Sequence, residues 1–310
     1  MRRFVPRLRW ITLIISFVLL TFGVQILGKR IYDLKLPIMS CVYNKDYLVE
    51  GSCYTITEFG EWLISSLTLG NIMSVLLFIL STLILIVIFG RILCGFICPF
   101  GFIQDVLTFI REKLHIPAFR FSEKTRNKLK LLKWILLFIF LVGIELCELC
   151  PVRAIIPPLT GSGFEMDGLS VLIAIVVIVG GFFKNRLWCN YCPMGYFVGV
   201  FHKFSFIKLK KDCTACTECG VCYEACPMDI KSIYTEREKE DITTSDCIFC
   251  MKCIDSCPED KAIKTTFLGK SIYSSSRENF HENHITYGKF KQKKDVSKLW
   301  TTSKNEEEVK

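Results

Sequence analysis

Two cysteine runs constrain the fold of this chain more than any other feature of its sequence. Residues 216–227 and 247–258 both follow the spacing C-x2-C-x2-C-x3-C-P. Thiolates with this spacing wrap a cubane iron–sulfur cluster, and in the bacterial form the fourth cysteine of each run ligates the other cluster. The two runs therefore predict two [4Fe-4S] clusters. Zinc sites and disulfides are the alternatives, but a zinc site uses no exchanged cysteine and a cytosolic segment disfavours disulfides.

The exchange of the fourth cysteine assigns a ligand set to each cluster. The first cluster is predicted to be held by Cys216, Cys219, Cys222 and Cys257. The second is predicted to be held by Cys247, Cys250, Cys253 and Cys226. Apolar segments at 230–234 and 262–267 predict short strands beside the clusters. Residues 210–269 thus resemble a two-cluster bacterial ferredoxin, which is a small α+β domain.

The composition of the remaining chain is typical of a membrane protein. The 310 residues are 51% hydrophobic, a share that is too high for an ordinary soluble domain. About 20 apolar residues cross a bilayer, so transmembrane helices are predicted at 10–28, 71–90, 131–146 and 169–183. The formal net charge is +9, but Lys and Arg lie mostly at the ends of these runs. That distribution is typical of membrane topology, so no nucleic-acid binding is predicted.

The charges of the loops predict the orientation in the membrane. The loop 91–133 contains nine Lys or Arg residues, whereas the loop 151–168 contains only Arg153. Because short loops rich in Lys and Arg stay in the cytoplasm, we expect a multi-pass protein of the plasma membrane. Both termini and the ferredoxin domain are then cytoplasmic. Residues 270–310 are polar and are predicted to form a disordered tail.

The membrane half of the chain, residues 1–209, contains an internal repeat. Segments 90–102 (GRILCGFICPFGF) and 185–196 (NRLWCNYCPMGY) share an arginine, a cysteine pair and Pro-x-Gly. Each segment ends a predicted hairpin of two helices. The predicted fold class is therefore an α-helical membrane protein with four transmembrane helices arranged as two parallel-repeat hairpins. The repeat predicts a third cluster on the inner side of the membrane, held by Cys94, Cys98, Cys189 and Cys192.

An amphipathic pattern follows each of these cysteine pairs. Segments 102–114 and 196–209 are predicted to be interfacial helices, because apolar residues recur at helical spacing in the first of them. Gln104, Asp105, Arg111 and Lys113 lie opposite the apolar positions. We therefore expect these polar side chains to form the outward, polar face of the first helix.

Four further cysteines are predicted on the outer side of the membrane. Cys41 and Cys53 lie in the first external loop, and Cys147 and Cys150 lie at the outer end of the third predicted span. These four thiols hold a second membrane redox centre in one interpretation. In the other, Cys41 and Cys53 form a disulfide and the second pair is a thiol–disulfide C-x2-C. Cys213 is then the one remaining cysteine of 17, and we interpret it as a spare thiol.

The combination of these motifs resembles the membrane polyferredoxins typified by NapH and by the C-terminal half of NosR. The resemblance covers residues 1–267 and rests on RILCGFICPFG and on the two ferredoxin runs. It implies a protein that passes electrons between quinols or cytoplasmic donors and extracytoplasmic reductase systems.

The function predicted from these features is electron transfer by an integral membrane carrier and not catalysis by a stand-alone enzyme. Electrons are expected to move among the clusters and then to a quinone or to a redox partner protein at the outer face. Because none of the four histidines lies in a predicted span, a haem between membrane histidines is not predicted. The alternatives are a quinol-oxidising or thiol-reducing membrane enzyme subunit, and a redox-sensing regulator of a membrane complex.

Overall fold

The chain forms two compact units. The computed structural model describes residues 4–27, 41–44, 49–53, 72–120, 132–135, 151–159 and 168–280. The helical unit comprises residues 8–205 and 244–250, and the ferredoxin unit comprises residues 1–7, 206–243 and 251–310. Residues 244–250, which include Cys247 and Cys250, thus belong to the helical unit although they lie within or beside the second cysteine run.

Among its described residues, the helical unit consists mainly of helices with one small hairpin of strands. Its hairpin is antiparallel and places the backbone of Cys41 directly opposite that of Cys53. In chain order the elements are α1 (Phe4–Leu27), β1 (Cys41–Asn44), β2 (Val49–Cys53), α2 (Ile72–Phe89), α3 (Ile92–Phe96), α4 (Pro99–Lys113), α5 (Pro151–Leu159), α6 (Gly168–Phe183) and α7 (Pro193–His202).

Three of the four apolar runs that predict membrane spans contain the helices α1, α2 and α6. Of the run 131–146, only residues 132–135 are described, and they are helical. Within the described residues, one helix is long and apolar enough to cross a membrane, over Val5–Phe22, and a shorter apolar stretch is Val171–Phe183. Four membrane crossings therefore stay a prediction.

Helices α4 and α7 begin in the same way, so the sequence repeat is also a structural repeat. Cys98 and Cys192 precede the two helices with extended backbones, at φ −61°, ψ 116° and φ −57°, ψ 116°. Pro99 and Pro193 then form the first turn, where a proline fits because its missing N–H has no helical acceptor. Proline also forces the preceding residue out of the helical conformation. Each repeat thus fixes a buried cysteine at the start of a helix.

The polar face of α4 points inward, which is the opposite of the expected orientation. Gln104, Asp105 and Arg111 are buried, whereas Phe109 and Leu114 are 51% and 60% exposed. The prediction of an outward polar face was wrong for these three residues, because they pair with groups inside the unit, whereas Lys113 is exposed. A periodic pattern identifies two helix faces but does not state which of them meets the protein interior.

The ferredoxin unit is an antiparallel three-stranded sheet with short helices. The sheet order is β3-β4-β5, and Leu209 lies opposite Thr265 in the register. Its elements in chain order are β3 (Ile207–Lys211), α8 (Val221–Glu224), α9 (Ser232–Thr235), α10 (Lys252–Asp255), β4 (Ile263–Phe267) and β5 (Lys270–Ser274).

Three predictions for residues 196–310 differ from the structure. Residues 232–235 form the helix α9 and not a strand, because a short apolar segment does not distinguish a strand from a helical turn. The second predicted interfacial helix, 196–209, ends at His202, and the alternating burial of 207–211 belongs to β3. Strand β5 pairs with β4, so ordered structure continues past residue 269. Residues 281–310 of the predicted tail lie outside the described residues.

Candidate iron–sulfur sites

The first candidate site is a pocket in the ferredoxin unit. Four thiols lie around it together with Gly220, Tyr234 and Pro258, and these thiols are Cys216, Cys219, Cys222 and Cys257. Cys257 belongs to the second run of the sequence, so the structure brings the fourth thiol of one run to the first three of the other. The sulfur of Cys213 instead lies 4.0 Å from the carbonyl oxygen of Glu236.

The backbone around the two runs adopts the same left-handed conformation at equivalent positions. In the first run Glu218 and Gly220 have φ of 59° and 73°, and in the second run Phe249 and Met251 have φ of 51° and 60°. For a residue with a side chain this conformation costs about 1–2 kcal/mol. Such turns create concave arrangements of N–H groups that bind anions and surround many iron–sulfur clusters. The local backbone therefore fits a cluster in each run.

Burial and neighbouring thiols act on Cys222 in the ferredoxin pocket. Its pKa is raised to about 12, first by burial and then by the nearby Cys219, Cys257 and Cys216, while Lys211 opposes them. Within the described residues, no three His, Cys, Asp or Glu side chains converge on a single ion. Four thiols spaced around a pocket fit a cubane, in which iron displaces the thiol protons.

The second candidate site is a pocket in the helical unit. It is lined by Arg91, Trp188 and Met194 and by one cysteine pair from each repeat, Cys94, Cys98, Cys189 and Cys192. Burial raises the pKa of Cys98 to about 12, and the neighbouring Cys94 and Cys189 add to this effect. The structure thus brings together the four cysteines that the repeat predicts for a third cluster.

The two repeats exchange their arginines across this pocket. A Cβ atom added to Gly195 would lie 2.9 Å from Nη2 of Arg91, and one added to Gly101 would lie 3.2 Å from Nη1 of Arg186. Each guanidinium group therefore occupies the space that the glycine of the opposite repeat leaves open. This contact explains why the arginine and the Pro-x-Gly glycine occur in both repeats.

A buried triad of Arg9, Asp105 and Arg186 holds the backbone of the first cysteine pair. The Asp105 carboxylate pairs with Arg9 and accepts hydrogen bonds from Arg186 at 2.6 and 2.9 Å. Nε of Arg9 donates to the carbonyl oxygen of Gly95 at 3.1 Å, and Nη1 of Arg186 donates to that of Cys94 at 3.0 Å. The triad therefore fixes the backbone that carries Cys94.

Gln104 connects α4 to the second cysteine pair. Its side-chain oxygen accepts a hydrogen bond from the backbone N–H of Trp188 at 2.9 Å, and its Nε2 lies 3.6 Å from the sulfur of Cys189. Hydrogen bonds to cluster sulfurs raise the reduction potential of a cluster. Gln104 is therefore placed to position Cys189 and to tune a cluster bound there.

Comparison with sequence families agrees with this geometry. A family described as 4Fe-4S binding domain matches twice, at residues 71–117 and 166–212. A second family, described as 4Fe-4S dicluster domain, matches residues 208–258. The double match covers the two cysteine-pair repeats, and the single match covers the two ferredoxin runs.

Several curated proteins are similar to most of this chain. An uncharacterised protein of Methanocaldococcus jannaschii is 29% identical over 244 residues, which are 76% of this chain and 87% of that protein. The ferredoxin-type protein NapH of Haemophilus influenzae is 29% identical over 178 residues, 55% of this chain and 60% of NapH. The methylamine utilization ferredoxin-type protein MauN of Methylorubrum extorquens is 31% identical over 199 residues, 62% of this chain and 67% of MauN. The chain belongs to this ferredoxin-type family. No solved structure matches it.

Membership of the ferredoxin-type family confirms the resemblance to NapH and NosR that the motifs indicated. It also confirms that the chain binds [4Fe-4S] clusters and is a ferredoxin-type electron-transfer protein. The number of clusters, the ligand assignments and the partners are finer statements, and they are proposed below.

The structure places the other predicted cysteines in different parts of the chain. Cys226 and Cys253 are buried in the ferredoxin unit, whereas Cys247 and Cys250 lie in residues 244–250, which belong to the helical unit. Cys147 and Cys150 lie outside the described residues. Helix α5 begins one residue after Cys150 and lies beside β1, which begins at Cys41.

Sequence reasoning missed the charged residues that hold the sites of this ferredoxin-type protein. Arg91 and Arg186 were visible as the shared first residue of the repeats, but only their cysteines were interpreted. Arg9 precedes the first predicted span and was given no role, and Asp105 was predicted to lie on an outward polar face. The signal that could have identified them is the carboxylate of Asp105 on α4, which lies in the sequence between the repeated Arg91 and Arg186.

The buried cation of the ferredoxin unit gives the first prediction. Nζ of Lys211 donates to the carbonyl oxygens of Tyr234 and Glu236 at 3.0 and 2.8 Å, beside the pocket of Cys222. A positive charge there stabilises the more negative, reduced state of a cluster. Lys211→Gln is therefore expected to lower the reduction potential of the first cluster by roughly tens of millivolts. Redox titration followed by electron paramagnetic resonance (EPR) measures this shift.

Lys208 provides the matched control for this prediction. It lies on the same strand, carries the same charge and is partly exposed, with its Nζ 3.6 Å from the Asp241 carboxylate. Solvent screens such a charge, so Lys208→Gln is expected to shift the potential by less than half as much. Equal shifts in the two variants would show that net charge, and not the position of Lys211, sets the potential.

Proposed function

We propose that this ferredoxin-type protein is a membrane-bound electron relay with three [4Fe-4S] clusters, two in the ferredoxin runs and one between the cysteine-pair repeats. It passes electrons between a cytoplasmic donor or acceptor and either the quinone pool or an extracytoplasmic redox partner. The observation that carries this proposal is the presence of two separate four-thiol pockets in one chain, one of them within the helical unit.

The surface of the helical unit supports a location in the membrane. Large apolar side chains are exposed on three helices, with Ile11 of α1 53% exposed, Met73 of α2 69% and Leu172 of α6 57%. Exposed apolar surface on this scale is typical of contact with lipid or protein. Helix α1 has 24 residues and is about 36 Å long, which exceeds the hydrocarbon core of about 30 Å. The loop charges support cytoplasmic termini and a cytoplasmic ferredoxin domain.

The residues around both pockets have roles suited to electron transfer. A bound cubane supplies one-electron transfer, because its iron atoms change valence while the cysteine ligands stay in place. The thiols hold the cluster, the burial of Cys98 and Cys222 excludes water, and the cations Lys211 and Arg91 offset the negative charge of the thiolates.

The outer cysteines are proposed to form the other end of the electron route. The backbone pairing of Cys41 with Cys53, and the position of α5 beside β1, support a common location for these residues and the Cys147–Cys150 pair. They act there either as a fourth cluster or as disulfides that exchange with a thiol partner. The iron content of the protein distinguishes these two forms.

Iron analysis and quinone reduction test the proposal. The full chain in detergent is expected to contain about 12 iron atoms and as many acid-labile sulfides, or about 16 with an outer cluster. After chemical reduction in lipid vesicles, added menaquinone is expected to reoxidise the clusters and remove their EPR signals. Persistence of those signals in the presence of menaquinone would favour an extracytoplasmic protein acceptor over quinone.

Cys98→Ser is the control for the route through the helical unit. This variant is expected to lose about four iron atoms and to retain the two ferredoxin clusters, which menaquinone then no longer reoxidises. A wild-type content of about eight iron atoms would overturn the proposal of a third cluster. Unchanged reoxidation in Cys98→Ser would overturn the route through this pocket.

A further inference from the structure

Residues 244–250 lie unusually close to the helices within the helical unit. A Cβ atom added to Gly199 of α7 would lie 2.4 Å from the carbonyl oxygen of Ser245, and one added to Gly95 of α3 would lie 2.4 Å from that of Ile248. Real Cβ atoms do not approach a backbone oxygen this closely. Glycine at both positions therefore allows the backbone of the segment to rest directly on the two helices.

Charged side chains fix the segment in the same place. Nη1 of Arg91 donates a hydrogen bond to the carbonyl oxygen of Ser245 at 2.5 Å. Nζ of Lys133, which is nearly buried, lies 2.9 Å from the Asp246 carboxylate. Only the Lys133 side of this pair is buried, and the Asp246 side chain is 26% exposed, so the pair constrains position more than it adds stability. These contacts therefore specify where the segment sits.

An aromatic contact completes the attachment. The rings of His202 and Phe249 meet edge to face with their centres 4.7 Å apart, and both residues are buried. Phe249 has a φ of 51°, which is unfavourable for an aromatic residue. The equivalent Glu218 of the first run has the same conformation, so it belongs to the turn of the cysteine run, and the contact with His202 fixes where this turn lies in the helical unit.

The segment brings Cys250 close to the pocket of the cysteine-pair repeats. The backbone nitrogen of Cys250 lies 3.4 Å from the Cβ position of Gly95, and Gly95 directly follows Cys94. The fully buried guanidinium group of Arg186 interacts electrostatically with both Cys189 and Cys250. The Arg186 guanidinium group thus interacts with one thiol of the four-cysteine pocket and with one thiol of the second run.

We propose that the packing of residues 244–250 within the helical unit holds Cys247 and Cys250 beside its four-cysteine pocket, so that electrons enter this pocket through these two thiols. Gly95, Gly199, Arg91 and Lys133 are the positioning residues of this packed segment, which we call the dock. The proposal rests on the proposed function, because it assigns an order to the clusters of the relay.

Hydrogen exchange of the full chain tests the dock without measuring electron transfer. Gly199→Ala forces a methyl group against Ser245, so the amides of residues 244–250 are expected to exchange at least roughly tenfold faster. Gly199 does not line the four-cysteine pocket, so the iron content is expected to stay at the wild-type value. The magnetic interaction between reduced clusters in the EPR spectrum is expected to weaken in the same variant.

Gly181→Ala is the matched control. It also adds a methyl group to a glycine of a helix in this unit, but the nearest atom, in Leu107, is 3.6 Å away, which is ordinary contact. This variant is expected to match the wild type in exchange and in EPR. Equal exchange of residues 244–250 in wild type, Gly181→Ala and Gly199→Ala would overturn the dock.

A charge reversal gives a second, independent test. Lys133→Asp places a carboxylate near Asp246, so it is expected to speed exchange of residues 244–250, and Asp246→Lys in the same chain is expected to restore protection. Failure of the double variant to restore protection, together with unchanged exchange in Gly199→Ala, would exclude the dock. Iron analysis separates this outcome from failure of the proposed function, which a wild-type content of eight iron atoms would reveal.

Discussion

Replacing Asp105 by asparagine is expected to destabilise the helical unit by about 3–5 kcal/mol, because two buried guanidinium groups lose their shared carboxylate. The side chains of Arg9, Asp105 and Arg186 are almost completely shielded from solvent. An amide cannot balance two positive charges in this environment. The unfolding temperature in detergent is expected to fall by roughly 10 °C, measured by loss of the visible absorption of the clusters.

Glu112→Gln is the control for the loss of a carboxylate from the same helix. Glu112 is partly exposed, and its carboxylate lies 4.0 Å from Arg111. The contact is long and the Glu112 side chain is one-third exposed to solvent, so it contributes at most about 1 kcal/mol and little change in unfolding temperature is expected. If Asp105→Asn is as stable as Glu112→Gln, the triad does not support the fold.

Replacing Cys257 by alanine is expected to remove the cluster of the first run, although Cys257 belongs to the second run. The structure places Cys257 in the pocket of Cys216, Cys219 and Cys222. A cluster with three thiolates is far less stable, so about four iron atoms per chain are expected to be lost. The EPR signal that Lys211→Gln shifts identifies the first cluster, and this signal is expected to disappear.

Cys213→Ala is the control, because it removes a thiol of the same unit that lies beside Glu236 and not around the pocket. Its iron content and both ferredoxin signals are expected to match the wild type. If Cys257→Ala retains the signal that responds to Lys211→Gln and loses the other one, the exchange of the fourth cysteine is wrong. Loss of iron in Cys213→Ala would place Cys213 among the ligands.

The two groups of cysteines that line the pockets were predictable because ligand spacing is a local constraint. Cysteines separated by two or three residues can surround one cluster in only a few ways. When a hairpin is repeated, the cysteine motif of the second copy can lie beside that of the first. Strand β4 and the helices α1, α2 and α6 were predictable for a similar reason. Their apolar runs have a length and a composition that few other structures accommodate.

The polar contacts were not predictable, because they depend on which elements meet. The sequence of α4 contains Gln104 and Asp105 on one face, but only the packing of α4 against the second repeat turns that face inward. The place of residues 244–250 depends in the same way on Gly95 and Gly199, which have no side chain to show a pattern. Contacts that are possible only because a residue has no Cβ atom leave no periodic pattern in a single sequence.

The exchange of Arg91 and Arg186 between the repeats has a consequence for how the pocket is assembled. Each hairpin supplies two thiols, one guanidinium group and one glycine that receives the guanidinium group of the other hairpin. A single hairpin therefore carries half of a self-complementary interface, as one subunit of a two-fold symmetric dimer does. A chain with one hairpin would complete such a pocket only by pairing with a second copy of itself. Here the covalent link between the hairpins makes that pairing intramolecular and independent of protein concentration.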